Sequence, residues 1–209
     1  MQALFFLVLQ GNPVFSTDSG IDYVYDNNST SNYLQIQKIG GGWPENWPTG
    51  SSSIAFSYWM KMPTTSLSQW GGYVVSMGSW GVGHSIWYRY TDVGILTDCY
   101  AGGPHDNVIS GSLDASLVKD DKWHHFYQII VNGTNNIVSG TVYVDGEFAY
   151  SGYGYYAKNT GTNYAPQILA CTWYNNAIAP FYISTFRVYN RALTDEEISD
   201  LASELTPTT

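Results

Sequence analysis

Apolar and polar residues alternate in short bursts along most of this chain, and turn residues cut each burst. Tyr33-Leu34-Gln35-Ile36-Gln37 alternates with period two, the spacing that sends successive side chains to opposite faces of a strand. Ser53 to Met62 does the same, with Phe56 and Tyr58 on one face and Trp59 on the other. Gly72 to Met77 and Ser85 to Tyr90 read as further strands, and Thr91 to Cys99 alternates less cleanly. Lys122-Trp123-His124-His125 opens a strand that ends near Val131. Thr141 to Val144 turns through Asp145-Gly146 into Glu147 to Tyr150, a hairpin in which Asp145 takes a turn position with positive φ. Ile183 to Tyr189 is a late strand. Strands spaced by roughly ten residues, with Gly, Pro and Asn between them, predict a sandwich or a barrel.

Helical periodicity enters only at the end. Thr194 and Glu197 have the spacing of a capping box, and Leu193 and Ile198 that of a hydrophobic staple. Asp195, Glu196 and Glu197 complement the positive end of a helix dipole. Ile198, Leu201, Ala202 and Leu205 form one apolar stripe, so the helix is expected to pack on the sheets rather than to carry chemistry. Pro207 ends it.

The first ten residues break the alternation. Ala3, Leu4, Phe5, Phe6, Leu7, Val8 and Leu9 form an unbroken apolar run, closed by Gly11-Asn12-Pro13. The run has no Lys or Arg before it and is too short for a secretory leader. It is also far below the ~20 apolar residues of a membrane-spanning helix. A strand buried on both faces fits it best. Two placements follow. The strand can pair within its own chain, the commoner outcome, or be donated to the sheet of a neighbouring copy.

The chain's last third carries a resemblance. DKWHHFYQIIVNGTNNIVSGTVYVDGEFAYSG and, later, FYISTFRVYNRALTDEEISDL resemble the laminin-G-like branch of the concanavalin A-like lectin/glucanase superfamily, in its Trp-His-His, Tyr-Val-Asp-Gly and Asn-Arg-Ala-Leu segments. IDYVYDNNSTSNYLQI looks like that family's opening strands, and SIAFSYWMKM like a central one. The resemblance implies an all-β, two-sheet antiparallel jelly-roll sandwich with a short C-terminal helix, used mostly for recognition and sometimes for catalysis. It runs from about Ile21 to Leu205. Residues 1–20 are then an N-terminal extension, 21–205 the jelly roll and 206–209 a tail.

Composition narrows the partners. Charged residues are only 12% of the chain and aromatic ones 16%, and the net charge is 8 − 17 = −9. Lys and Arg never cluster, which speaks against nucleic acid and anionic membrane surfaces. Many Tyr, Thr, Ser, Asn and Gly with few charges fit an extracellular protein or one on a cell or virion surface. Cys99 and Cys171 lie in or beside strands. Their spacing is not that of a metal site, so they are either a disulfide across the sandwich or two buried thiols.

Candidate chemistry is sparse. Glycosidases of the resembled superfamily place paired carboxylates on one strand, as Glu-x-Asp-x-x-Glu or Glu-x-Asp-x-Glu; retaining hydrolysis needs two carboxyl groups ~5 Å apart. Neither pattern occurs here, so no enzyme is expected. His124 and His125 point to opposite faces, one packed inside and one toward solvent. Domains of the resembled family often hold Ca²⁺ through loop oxygens. Asp98 and Asp106 are the candidates here, without a spacing motif, and no cofactor is required. Trp43, Trp47, Tyr153, Tyr155, Tyr156, Trp173 and Tyr174 fall in loops, where exposed rings can stack on sugars or form an interface. Asn27, Asn28 and Asn132 begin acceptor triplets for N-glycosylation in what read as exposed turns.

Two functions fit these residues. One is a non-catalytic module for recognition or adhesion that binds glycan or protein. The other is a structural subunit of a self-assembling extracellular filament or surface array, whose partners are other copies joined by the N-terminal strand.

Overall fold

The structure, a computed structural model, describes residues 6–10, 14–18, 20–25, 33–37, 41–44, 46–64, 72–78, 84–91, 94–101, 111–113, 117–132, 137–154, 162, 165–169 and 182–204. Ala3, Leu4 and Phe5 lie outside them, as do the second cysteine, Cys171, and Leu205 at the end of the helical stripe.

Among the described residues fourteen strands form two antiparallel sheets of seven. In chain order the first five are β1 (Phe6–Gln10), β2 (Val14–Asp18), β3 (Ile21–Tyr25), β4 (Tyr33–Gln37) and β5 (Ile54–Lys61). Next come β6 (Gly72–Met77), β7 (His84–Thr91), β8 (Gly94–Ala101), β9 (Gly111–Leu113) and β10 (Trp123–Asn132). The chain closes with β11 (Val138–Val144), β12 (Glu147–Gly154), β13 (Gln167–Ile168), β14 (Tyr182–Tyr189) and the helix α1 (Asp195–Ser203). The front sheet runs β1-β4-β13-β6-β7-β8-β9 and the back sheet β12-β11-β10-β5-β14-β3-β2. The all-β, two-sheet jelly roll expected from the sequence is the observed fold.

Alternation makes the core. On β5, Ile54, Phe56, Tyr58 and Met60 are fully buried between the sheets, with Phe126 and Ile130 of β10 beside them. Leu34, Ile36, Val75, Met77, Ile86 and Ile168 answer from the front sheet. The Tyr58 and Phe126 rings stack with centroids 5.6 Å apart.

The opposite face of the back sheet is covered too. Toward one end α1 seats Ile198 on Ala55, Tyr127 and Ile129, with Leu193 packed alongside. The capping box forms: Thr194 Oγ1 accepts from the Glu197 amide, and Glu197 Oε2 accepts from the Thr194 amide at 2.9 Å. Arg191 holds the same carboxylate. The Asp145-Gly146 turn has positive φ at both residues. A Cβ on Gly146 would stand 3.5 Å from Ser199 Cα and from Ala202 Cβ, so the turn lies directly against the helix. Toward the other end Ile21, Trp59 and Trp123 pack with Tyr23 and Tyr182.

The described part of the N-terminal run, from Phe6 on, takes the first of its two placements. β1 pairs antiparallel with β4 of the same chain, from Phe6↔Gln37 to Gln10↔Tyr33. β2, which the sequence pattern did not announce, forms a hairpin with β3 and becomes the edge of the back sheet. Among the described residues no helix is long and apolar enough to cross a membrane.

Candidate functional site

Where β14 leaves β3, the back sheet splits. Among the described residues two pairs join these strands, Tyr182↔Tyr25 and Ile183↔Val24. Next to the split β14 carries a bulge against β5, where Ser184↔Trp59 is followed by Arg187↔Ser57. One extra residue on the bulged strand bends it away from its neighbour. Thr185 sits in that bulge at φ 49, a left-handed conformation that a β-branched residue rarely takes. One side chain bridges the parted strands, and another ties β2 to β3. Ser184 Oγ donates to the Asp22 carbonyl at 2.6 Å, and Thr17 Oγ1 donates to Asp22 Oδ1 at 2.7 Å.

The split opens a cleft of about 1170 Å³. One wall is Phe15, Ser16 and Thr17 of β2 with Asp22 and Tyr23 of β3, and the other is β14 from Ile183 to Tyr189 with Asn190 after it. Core residues Val24, Leu34, Ile36, Trp47 and Ile168 form its floor. Asn46, at φ 61, stands at the rim. Phe15 is 57% exposed, although it is large and apolar. The β2 wall is anchored from behind: Asp18 Oδ2 accepts from Lys61 Nζ at 2.5 Å and from Trp123 Nε1 at 3.2 Å.

Among the described residues Asp22 is the sole carboxylate lining this cleft. Glycoside hydrolysis needs a pair. Arg187 is the one cation lining it among the described residues, and its Nη2 is bound to Glu204 Oε2. Its Nη1 is buried without a partner. No group of three or more His, Cys, Asp or Glu side chains converges to hold a metal ion among the described residues.

The two adjacent histidines do different work. His124 is bracketed: Nδ1 meets Asp145 Oδ2 at 2.7 Å and Nε2 meets Asp120 Oδ1 at 3.1 Å. Burial opposes its charge, but the hydrogen bonds to Asp145 and Asp120 outweigh burial and raise its pKa above 6.5. Burial works against the Asp120 carboxylate as well, yet bonds from Lys122 and His124 lower its pKa to about 2. Asp145 also accepts from the His125 amide at 2.8 Å, so one carboxylate ties a hairpin turn to a strand start. His125 is completely buried, with Nε2 2.9 Å from Ser57 Oγ and Nδ1 unpartnered. Burial pulls its pKa down to about 4. A serine beside a histidine looks like a nucleophile and its base. Both residues are 0% exposed, so no substrate reaches Ser57 and the pair is structural. The expectation that one packs inside holds for His125; the other, His124, keeps 13% of its side chain exposed, with two carboxylates covering most of it.

Of the aromatic residues singled out in the sequence, the three that are described, Trp43, Trp47 and Tyr153, do not share one site. Trp47 is 5% exposed, with Nε1 directed at Met77 Sδ at 3.3 Å. It belongs to the core and the cleft floor rather than to an exposed loop. Trp43 is half-buried against the same core with its Nε1 enclosed. Tyr153 is 61% exposed, but on the edge strand β12, at the opposite edge of the back sheet from the cleft. Tyr155, Tyr156, Trp173 and Tyr174 lie outside the described residues, as do Asn27, Asn28 and Asp106. Asp98 is within strand β8 opposite Trp87, not in a loop. Asn132 is the last residue of β10, opposite Val138, rather than part of the turn. Cys99 sits in β8 opposite Ile86, and its suggested partner is outside the described residues. The cleft residues Phe15, Asp22, Ser184 and Thr185 were all missed. The exposed Phe15 beside a polar Ser-Thr-Asp run was the one available signal, and it lay in the segment set aside as an extension.

Two stacked antiparallel sheets, closed by a helix on the back and open along a split edge, define a concanavalin A-like β-sandwich. The chain belongs to the concanavalin A-like lectin/glucanases superfamily: the Laminin_G_3 family model matches residues 26–199. No curated relative matches the chain. Among solved structures it is similar to domain 4 of AbnA, a GH43 extracellular arabinanase from Geobacillus stearothermophilus in complex with arabinotriose. That likeness has a TM-score of 0.62 at 18% identity over 92% of this chain and 82% of the other. It is similar as well to the binding domain of Paraclostridial Mosquitocidal Protein 1, with a TM-score of 0.65 at 16% identity over 94% of this chain and 47% of that one. A third is the binding domain of Botulinum Neurotoxin DC in complex with SialylT, with a TM-score of 0.63 at 13% identity over 97% of this chain and 46% of that one. The chain thus spans about half the length of the toxin binding domains it resembles.

Proposed function

We propose that this chain is a non-catalytic recognition module that binds carbohydrate, acting outside the cell or on a cell or virion surface. The observation that carries this reading is the cleft itself, an apolar floor with a few convergent polar groups and a single carboxylate. Concave sites of that composition are where small ligands are held, and one carboxylate is too few for glycoside hydrolysis. The fold supports it: domain 4 of AbnA and the toxin binding domain, both built on this sandwich, were captured with arabinotriose and SialylT respectively. The reading requires no cofactor.

Titration calorimetry of the purified chain against a glycan panel tests this. The expected result is saturable binding to at least one oligosaccharide class, with the glycan recovered intact. Silence across the panel would sink the reading. So would turnover that disappears when a single carboxylate is neutralised.

A further inference from the structure

The family match begins at residue 26, yet one wall of the cleft precedes it. Phe15, Thr17, Asp22 and Tyr23 all lie in the β2–β3 hairpin. We propose that this N-terminal hairpin is the specificity element of the cleft and selects a neutral oligosaccharide. The proposal rests on the carbohydrate-binding reading above.

Four features point to that ligand. Phe15 presents an exposed ring at the mouth; an exposed large apolar side chain beside a concave site is the informative exception on a protein surface. The C–H face of a sugar ring can cover it. Asp22 is an acceptor only, and one of its oxygens already takes the Thr17 hydroxyl. A carboxylate has about four acceptor positions, so what remains suits hydroxyl donors. Charge then selects among sugars. An acidic sugar would meet Asp22 while the guanidinium opposite is neutralised by Glu204, in a chain of net charge −9. A neutral sugar avoids that repulsion. Finally, the cleft's ~1170 Å³ exceeds the roughly 300–1,000 Å³ of a typical small-molecule pocket, which favours several linked rings over one.

The hairpin is also held ready for this role. Asp18 fixes the end of β2 to Lys61 and Trp123, and Ser184 fixes β3 to β14. A wall set in advance costs less ordering on binding.

The experiment is an amide-detected NMR titration of the whole chain, paired with calorimetry. Neutral probes are arabinotriose, cellotriose and mannotriose; acidic probes are trigalacturonate and sialyllactose. A neutral probe is expected to shift amides of residues 15–24 and 184–190. F15A and D22N are each expected to weaken its binding by about tenfold or more, and the acidic probes to bind at least about tenfold less well. D22N is nearly isosteric and keeps the test valid if F15A fails to fold. Shifts that map elsewhere, an acidic probe that binds best, or affinities untouched by both variants would overturn the hairpin's role and leave carbohydrate binding intact. If no probe perturbs any amide, the proposed function falls with it.

Discussion

The two halves of the back sheet are built differently. Between β10 and β5 the ladder is unbroken from Trp123↔Lys61 to Ile130↔Ile54, and the side chains on both faces are covered. Across the sheet, β14 keeps two pairs with β3 and then parts from it. The β10–β5 ladder obeys the local rules of strand pairing. The second half breaks them at Thr185 and bridges the gap with the Ser184 hydroxyl. A continuous ladder leaves no room for a ligand. An opening needs a place where the ladder stops, and a rigid half beside it to hold the gap at a fixed width.

Mutations can separate the halves. The largest effect is expected in the packed half: F126A removes a fully buried ring stacked on Tyr58 and should cost about 3–5 kcal/mol. Urea denaturation checks it, and a loss below about 1 kcal/mol would mean the two halves are not packed as unequally as described.

Acid and base should act on the packed half through its two histidines, in opposite directions. His125, depressed from 6.5 to about 4, is protonated more readily when unfolded. Its stabilisation is complete above the unfolded value and declines as pH falls from 6.5 toward 4, by up to about 3 kcal/mol. His124 has a raised folded pKa. Its contribution is full below 6.5 and is lost as pH climbs through that raised value. Asp120 adds a later acid loss, between 3.8 and about 2. Stability measured by denaturant midpoint should therefore peak near pH 6.5. H125Q should flatten the acid limb and H124N the alkaline one. A profile that H125Q leaves unchanged would contradict the burial of that ring.

Smaller changes probe the split. S184A deletes the hydroxyl that bridges to the Asp22 carbonyl and should cost about 1 kcal/mol, with faster amide exchange across β3. T185G relieves the left-handed bulge, where a side chain costs roughly 1–2 kcal/mol. Set against glycine's entropy, melting should stay level or rise slightly. Thr185 Oγ1 also lies 3.1 Å from Ser184 Oγ, and a marked fall in melting temperature would show that this contact outweighs the backbone strain.

The sequence disclosed the packed half far better than the split one. The Trp123-His124-His125 strand, the Asp145-Gly146 turn and the Thr194–Glu197 capping box depend on neighbours in the chain, so their chemistry is written locally. The cleft depends on β14 and β3 failing to pair, although about 160 residues separate them. No local pattern records where a distant ladder ends, nor that Thr185 will have positive φ. Trp43 and Trp47 were read as loop rings because Pro, Asn and Gly surround them; the loop folds inward and spends them on the core. Phe15 was legible only as an apolar residue in a short polar stretch, and the cleft gives it meaning.

Gly146 has a practical consequence for anyone rebuilding this scaffold. The residue answers to a tight reversal and to the helix resting on it, so lengthening that loop or grafting a foreign peptide there would lift α1 and uncover Ile198. Hairpin tips are the usual choice for such grafts, and in this scaffold the β11–β12 tip is the one to leave alone.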